Sequence, residues 1–181
     1  AFTLVFIGRL VEGKNVLDII KAISLLKNRG VIINCILIGD GPEKQKIKDV
    51  SEQTKIENQV YLTGALYDEN DIAKYFDMSD LMISPGNVGL NCIHSLAYGV
   101  PVLTHDNFTY QNPEVEAINE GVTGMFYEYQ NFDDMTLKIE KWILQNNDKK
   151  EIFINCQNVI RARFNPSNQT KCIVNAIKSI I

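Results

Sequence analysis

The sequence predicts an α/β, doubly wound fold: a six-stranded, mostly parallel sheet with helices on both faces. Three observations point to it. Short apolar runs such as Phe2–Ile7 and Leu81–Ser84 lack polar alternation, as strands covered on both faces do. Segments with helical apolar spacing alternate with these runs. Glycines or short polar turns follow them, the punctuation that ends a strand and admits a helix.

Taken in order, Phe2–Ile7 is the first strand, ending at Gly8. After the loop Gly8–Asn15, the residues Val16, Ile19, Ile20, Ile23 and Leu26 mark one helix face to Asn28, with Gly30 as the stop. Ile32–Ile38 is the second strand, followed by Gly39-Asp40-Gly41-Pro42 and a more polar helix from Glu43 to Lys55, its Ile47 and Val50 facing inward. Val60–Thr63 is the third strand, closed by Gly64, and Asp68 caps a short helix carrying Ile72, Tyr75 and Phe76. Leu81–Ser84 is the fourth. Pro85, Gly86 and Asn87 then break regular structure, and helical spacing runs from Val88 to Tyr98 with Gly99 behind it. Pro101–Thr104 is the fifth strand. A polar loop, His105–Asn112, leads to Pro113, a good first helical position before Glu114–Ile118. Gly121 and Gly124 flank a turn before the sixth strand, Met125–Tyr127. Helices start near Phe132, Lys149 and Ser167, and Trp142 with Ile139 and Ile143 reads as helix core.

Composition removes several function classes. A chain of 181 residues is one domain by the usual prior, residues 1–181, and is long enough to bury a real core. A net charge of −4 argues against a nucleic-acid partner, which demands basic stripes. No apolar run approaches the length needed to span a bilayer. The four cysteines, Cys35, Cys92, Cys156 and Cys172, lie far apart with no Cys-x-x-Cys pair, which fits reduced thiols in the cytoplasm. The chain begins in a strand at Ala1, without Met or leader, and reads as a piece of a longer protein.

In doubly wound sheets ligands sit beyond the carboxyl ends of the strands. Here that edge gathers Gly8-Arg9, Gly39-Asp40-Gly41, Gly64, Pro85-Gly86-Asn87 and His105-Asp106-Asn107, with Lys14 nearby. A strand feeding a glycine turn into a helix aims free N–H groups and the positive helix end at one spot, which suits a phosphate. A partly basic, glycine-lined cleft on an acidic chain therefore reads as a nucleotide-type site. It is not a P-loop, because no Gly-x-x-x-x-Gly-Lys-Ser/Thr is present. The first turn also lacks Gly-x-Gly-x-x-Gly, and no His, Cys or carboxylate cluster has metal-ligand spacing.

Four motifs in fixed order carry a resemblance. They are Gly8-Arg9-Leu10 with Lys14-Asn15, Ile38-Gly39-Asp40-Gly41-Pro42, Val60-Tyr61-Leu62-Thr63-Gly64, and Gly89-Leu90 followed by Ser95-Leu96-Ala97-Tyr98-Gly99-Val100-Pro101-Val102. Over nearly its whole length the chain resembles the C-terminal, donor-binding domain of group 1 (family 4) retaining glycosyltransferases of the GT-B fold, a Rossmann-like domain. The resemblance implies a nucleotide-diphosphate sugar as substrate, no cofactor and no metal, and an acceptor domain of the same protein on the N-terminal side. It implies that Arg9, Lys14, Val88, Gly89 and Leu90 hold the diphosphate, and that Gly86, Asn87 and His94 meet the sugar and ribose. The base would lie by Gly8, Gly39 and Gly64. It also implies a cytoplasmic protein, with membrane contact only through the missing part, acting in cell-surface polysaccharide or glycolipid synthesis.

The chain departs from that pattern at its centre. The family usually carries two glutamates eight apart across this turn, the first near the sugar and the second on the ribose, where this sequence has Gly86 and His94. Leu90, His94 and Tyr98 share a helix face, so His94 reads either as a ribose partner or as a core histidine. Asp106 or Glu114 could supply a carboxylate instead, Glu114 also being an ordinary first-turn helix acid. Arg9 and Lys14 have a plainer reading as a surface pair, and Asp40 as a turn former. Two alternatives follow: a binding or partner domain that has lost transfer, and an enzyme of nucleotide-sugar epimerase type.

Overall fold

A computed structural model describes residues 1–145 and 148–180. Strands β1 (Phe2–Ile7), β2 (Ile33–Ile38), β3 (Val60–Gly64), β4 (Leu81–Ser84), β5 (Val102–His105) and β6 (Gly124–Tyr127) form one sheet in the order β3-β2-β1-β4-β5-β6. Every pairing is parallel, from Phe2 opposite Ile33 across to His105 opposite Tyr127. The chain steps outward from β1 to β3, then crosses back to β4 and runs to the other edge. The reversal leaves a crevice between the carboxyl ends of β1 and β4.

Residues of the central strands β1, β2 and β4 alternate between two cores. Leu4, Phe6, Cys35, Leu37, Leu81 and Ile83 bury on one face, beneath α1 (Val16–Asn28), α2 (Lys44–Gln53) and α5 (Phe132–Leu144). Val5, Ile36, Ile38 and Met82 bury on the other, beneath α3 (Glu69–Asp77), α4 (Leu90–Ala97) and α6 (Lys149–Ala162). Being covered on both sides is why the strands read as unbroken apolar runs. α7 (Pro166–Lys178) completes the described chain. Among the described residues no helix is long and apolar enough to cross a membrane. Cys35, Cys92 and Cys156 are buried free thiols and Cys172 an exposed one.

Several element ends differ from the sequence reading for identifiable reasons. Ile32 is 65% exposed and stays outside β2. Pro101 lacks an N–H for the ladder, so β5 begins at Val102 and runs on to His105. Pro113–Ala117 closes as a 3₁₀ turn with Pro113 in its first turn. α4 begins at Leu90, two residues after the start of the apolar spacing, because Gly89 is extended and caps it. Asp68 does cap α3, its Oδ1 accepting from Asn70 N at 2.8 Å.

Ile20 on α1 is fully buried against the sheet. Ile20→Ala is expected to lower stability by about 2–5 kcal/mol through lost transfer energy and a residual cavity. Urea unfolding checks this: the midpoint should fall with the slope unchanged.

Candidate functional site

The loops leaving β1 and β2 are laced together before either turns into a helix. Gly8 N donates to Ile38 O at 3.0 Å, Leu10 N to Asp40 O at 3.0 Å, and Gly39 N to Gly64 O at 2.9 Å. A Cβ on Gly39 would sit 1.8 Å from Gly8 O, so no other residue lets these loops approach. Beside the lacing lies a cavity of about 360 Å³ lined by Gly8, Arg9, Gly39, Asp40, Leu66 and Tyr67. Gly64 does not line it, and its carbonyl holds Gly39. Asp40 acts as the turn former, with Oδ1 on Gly41 N at 2.8 Å and Oδ2 on Lys44 Nζ at 2.8 Å. Arg9 is exposed at the rim, and its guanidinium has no polar partner among the described residues.

Lys14 crosses the crevice. Its Nζ donates to the carbonyl of Asn87 at 3.0 Å and to Asn87 Oδ1 at 2.9 Å, tying the β1 loop to the β4–α4 turn. Partial burial lowers its pKa, so this ammonium gains from any anion placed beside it. The β1 loop lies so close that a Cβ on Gly86 would stand 2.6 Å from Gly13 O and 3.0 Å from Lys14 Cα. Backbone fills the space that a side chain at position 86 would need.

The turn itself is held from outside. Val88 N donates to Gln111 Oε1 at 2.8 Å, and Asn112 Nδ2 donates to Val88 O at 2.6 Å. Gln111 Nε2 donates to Thr104 Oγ1 and to His105 O, both at 2.9 Å. Tyr127 Oη donates to Pro85 O at 2.8 Å. Gly89 N is taken by Asn91 Oδ1 at 2.8 Å. Thus Val88 and Gly89, expected as open donors, already have partners. The N–H groups of Leu90 and Asn91, in the first turn of α4, make no hydrogen bond among the described residues. They are the open donors at the positive helix end.

Gln111, Asn112 and Tyr127 escaped the sequence reading, since nothing local marks a side chain that bonds a loop some 23 to 42 residues away. Gln111→Leu should leave Val88 N without its partner and cost about 1–3 kcal/mol. Calorimetry should show the melting temperature falling by about 2–4 °C for each kcal/mol.

The carboxylate candidates separate. Asp106 Oδ1 accepts from Tyr129 N at 2.9 Å and so braces the loop after β6. Glu114 Oε2 is buried without a hydrogen-bond partner. It lies near enough to Cys92 for its charge to add to the burial that raises that thiol's pKa to about 12. His94 reaches across to α3, its Nε2 lying 2.9 Å from Glu69 Oε2.

The sequence profile described as "Glycosyl transferases group 1" matches residues 1–158. The chain belongs to that family. It is 31% identical over 134 residues to the poly(glycerol-phosphate) alpha-glucosyltransferase of Bacillus subtilis, a match covering 72% of this chain and 19% of that protein. Among solved structures it is similar to the C-terminal domain of the group 1 glycosyl transferase LpcC from Francisella tularensis. That likeness has a TM-score of 0.75 at 17% identity and covers 91% of this chain and 87% of the other. It is also similar to S. aureus TarM, solved with UDP, with a TM-score of 0.80 at 22% identity over 96% of this chain and 34% of that one. The fold is thus the Rossmann-like half of a GT-B glycosyltransferase, and the chain spans a fifth to a third of these longer relatives.

Proposed function

We propose that this chain binds the nucleoside diphosphate of an activated sugar, and that in the whole protein it forms the donor side of a cleft from which the sugar passes to an acceptor with retention of configuration. The observation that carries this reading is a convergence at one edge of the sheet. The open N–H groups of Leu90 and Asn91, Lys14 across the crevice, and Arg9 on the rim of the 360 Å³ cavity surround one region. A diphosphate at the start of α4 meets the helix end and two cations, and a base has the cavity beside it.

Chemically, the protein's work is positioning and charge. As the bond to the sugar breaks, negative charge grows on the departing diphosphate. Arg9 offers a planar fork and Lys14 a compact ammonium to receive it. Lys14 gives up its bonds to Asn87 for phosphate oxygens, which leaves Asn87 beside the sugar. The acceptor wall belongs to the rest of the protein. We place the acceptor among cell-surface polymers or glycolipids, a reading in line with the Bacillus relative named for glucosyl transfer to poly(glycerol-phosphate).

Titrating UDP, GDP and inorganic pyrophosphate into the purified chain by calorimetry tests the site. Saturable binding of at least one nucleoside diphosphate is expected, tighter than pyrophosphate. A folded chain that binds none overturns the reading. A second reading, nucleotide binding without transfer, is favoured by Gly86, where backbone packing stands in place of a carboxylate. Assaying the full-length protein with UDP- and GDP-sugars separates them, since binding without turnover selects the second.

A further inference from the structure

The face of α4 that carries Leu90, His94 and Tyr98 is tied to α3 through one carboxylate. Glu69 Oε2 lies 2.9 Å from His94 Nε2 and accepts from Tyr98 Oη at 2.6 Å. Because a carboxylate only accepts, the imidazole donates here through Nε2. Phe76 backs both partners, its ring 5.7 Å from that of His94 and 5.1 Å, stacked, from that of Tyr98. Both donors converge on Oε2, and Oε1 receives no hydrogen bond from the described residues. The Glu69 side chain is 68% exposed. The Tyr98 hydroxyl, then His94, hold its carboxyl below the usual range, so it is an anion at neutral pH.

Joining two helices is a weak reason for this arrangement, because polar contacts to an exposed carboxylate add little stability. Its place in the fold is more telling. His94 stands one turn, about 6 Å, along α4 from the open N–H groups at Leu90 and Asn91. Leu66 and Tyr67, which line the cavity, immediately precede Asp68 and Glu69 in the chain. Glu69 thus follows the cavity-lining segment in the chain and meets α4 one turn from its open N–H groups, which sets it toward both places that the nucleotide reading gives to phosphate and base. Between phosphate and base a nucleotide carries its ribose, with two neighbouring hydroxyl donors. A fixed, ionised carboxylate with one free oxygen is the complementary acceptor, and a hydroxyl-to-carboxylate hydrogen bond is among the strong ones.

We infer that Glu69 is the acid that binds the ribose hydroxyls, with His94 and Tyr98 as positioning residues that aim its free oxygen. This rests on the nucleotide reading above. It means that the negative charge missing at position 94 is supplied from α3.

The test compares ligands with and without those hydroxyls. Whichever of UDP and GDP binds the purified chain better is titrated alongside its 2′,3′-dideoxy form and inorganic pyrophosphate. The unaltered chain should bind the dideoxy form about tenfold more weakly, the loss of one charge-assisted hydrogen bond. Glu69→Gln should lose about tenfold for the ribonucleotide and nothing for the dideoxy form or pyrophosphate. His94→Ala should follow it, and His94→Gln, which keeps a donor, should recover most of the affinity. If the unaltered chain binds both forms equally, or Glu69→Gln leaves their ratio unchanged, Glu69 only joins two helices and the inference falls while the nucleotide reading stands. If no nucleotide binds the folded chain, both fall together.

Discussion

Arg9→Ala is expected to weaken nucleoside diphosphate binding by about ten- to a hundredfold while leaving the melting temperature of the empty chain unchanged. The Arg9 side chain is exposed and makes no polar contact among the described residues, so its removal costs the fold nothing. Its position on the cavity rim, against the acidic balance of the chain, gives it one evident use. A hydrogen bond to a charged group contributes about 1.5–3 kcal/mol, which sets the size of the loss. Lys14→Ala should cost a similar factor but should also lower the melting temperature, since its two bonds to Asn87 hold the β4–α4 turn. Both variants should show a flatter salt dependence of binding, because fewer charges are neutralised. Calorimetric titration at two salt concentrations decides the matter. Unchanged affinity in both variants would place the phosphates elsewhere.

Restoring the family's glutamate at position 86 is expected to damage this protein. Gly86→Ala already places a Cβ 2.6 Å from Gly13 O, and the neighbouring atoms are backbone, which cannot swing aside as a side chain end does. Overpacking of this kind costs about 1–3 kcal/mol. Gly86→Glu should cost at least as much and should push the β1 loop, with Lys14, away from Asn87. The expected result is a lower denaturant midpoint together with weaker nucleoside diphosphate binding. A Gly86→Glu protein as stable as the original, binding nucleotide at least as tightly, would show that the loop yields readily.

Much of the fold was legible because its causes are local or periodic. Unbroken apolar runs could only be strands buried on both faces, and β1 spans Phe2–Ile7 as the run does. The face Val16, Ile19, Ile20, Ile23, Leu26 could only be a helix against a sheet. Alternation of the two then forces parallel strands, so all glycine turns gather on one edge. Asp68 was readable as a cap because an N-cap bonds only two residues ahead.

The sequence by itself therefore determined the layers, the strand order's general type, and the edge where Arg9, Lys14 and the β4–α4 turn meet. Tertiary structure alone decided what those residues touch. Val88 looked like the first residue of a helix, yet its N–H belongs to Gln111, 23 residues on. Lys14 looked like a free cation, yet it is bound to Asn87, 73 residues on. Gly86 looked like a lost side chain, yet it is the point where the β1 loop's backbone comes to rest. His94 has the spacing of a crevice residue and faces Glu69, 25 residues back on another helix. The physical reason is the same in each case. Hydrophobic periodicity reports which face of an element is buried, whereas hydrogen bonds and close approaches between loops depend on where separate turns meet once the sheet has brought them together.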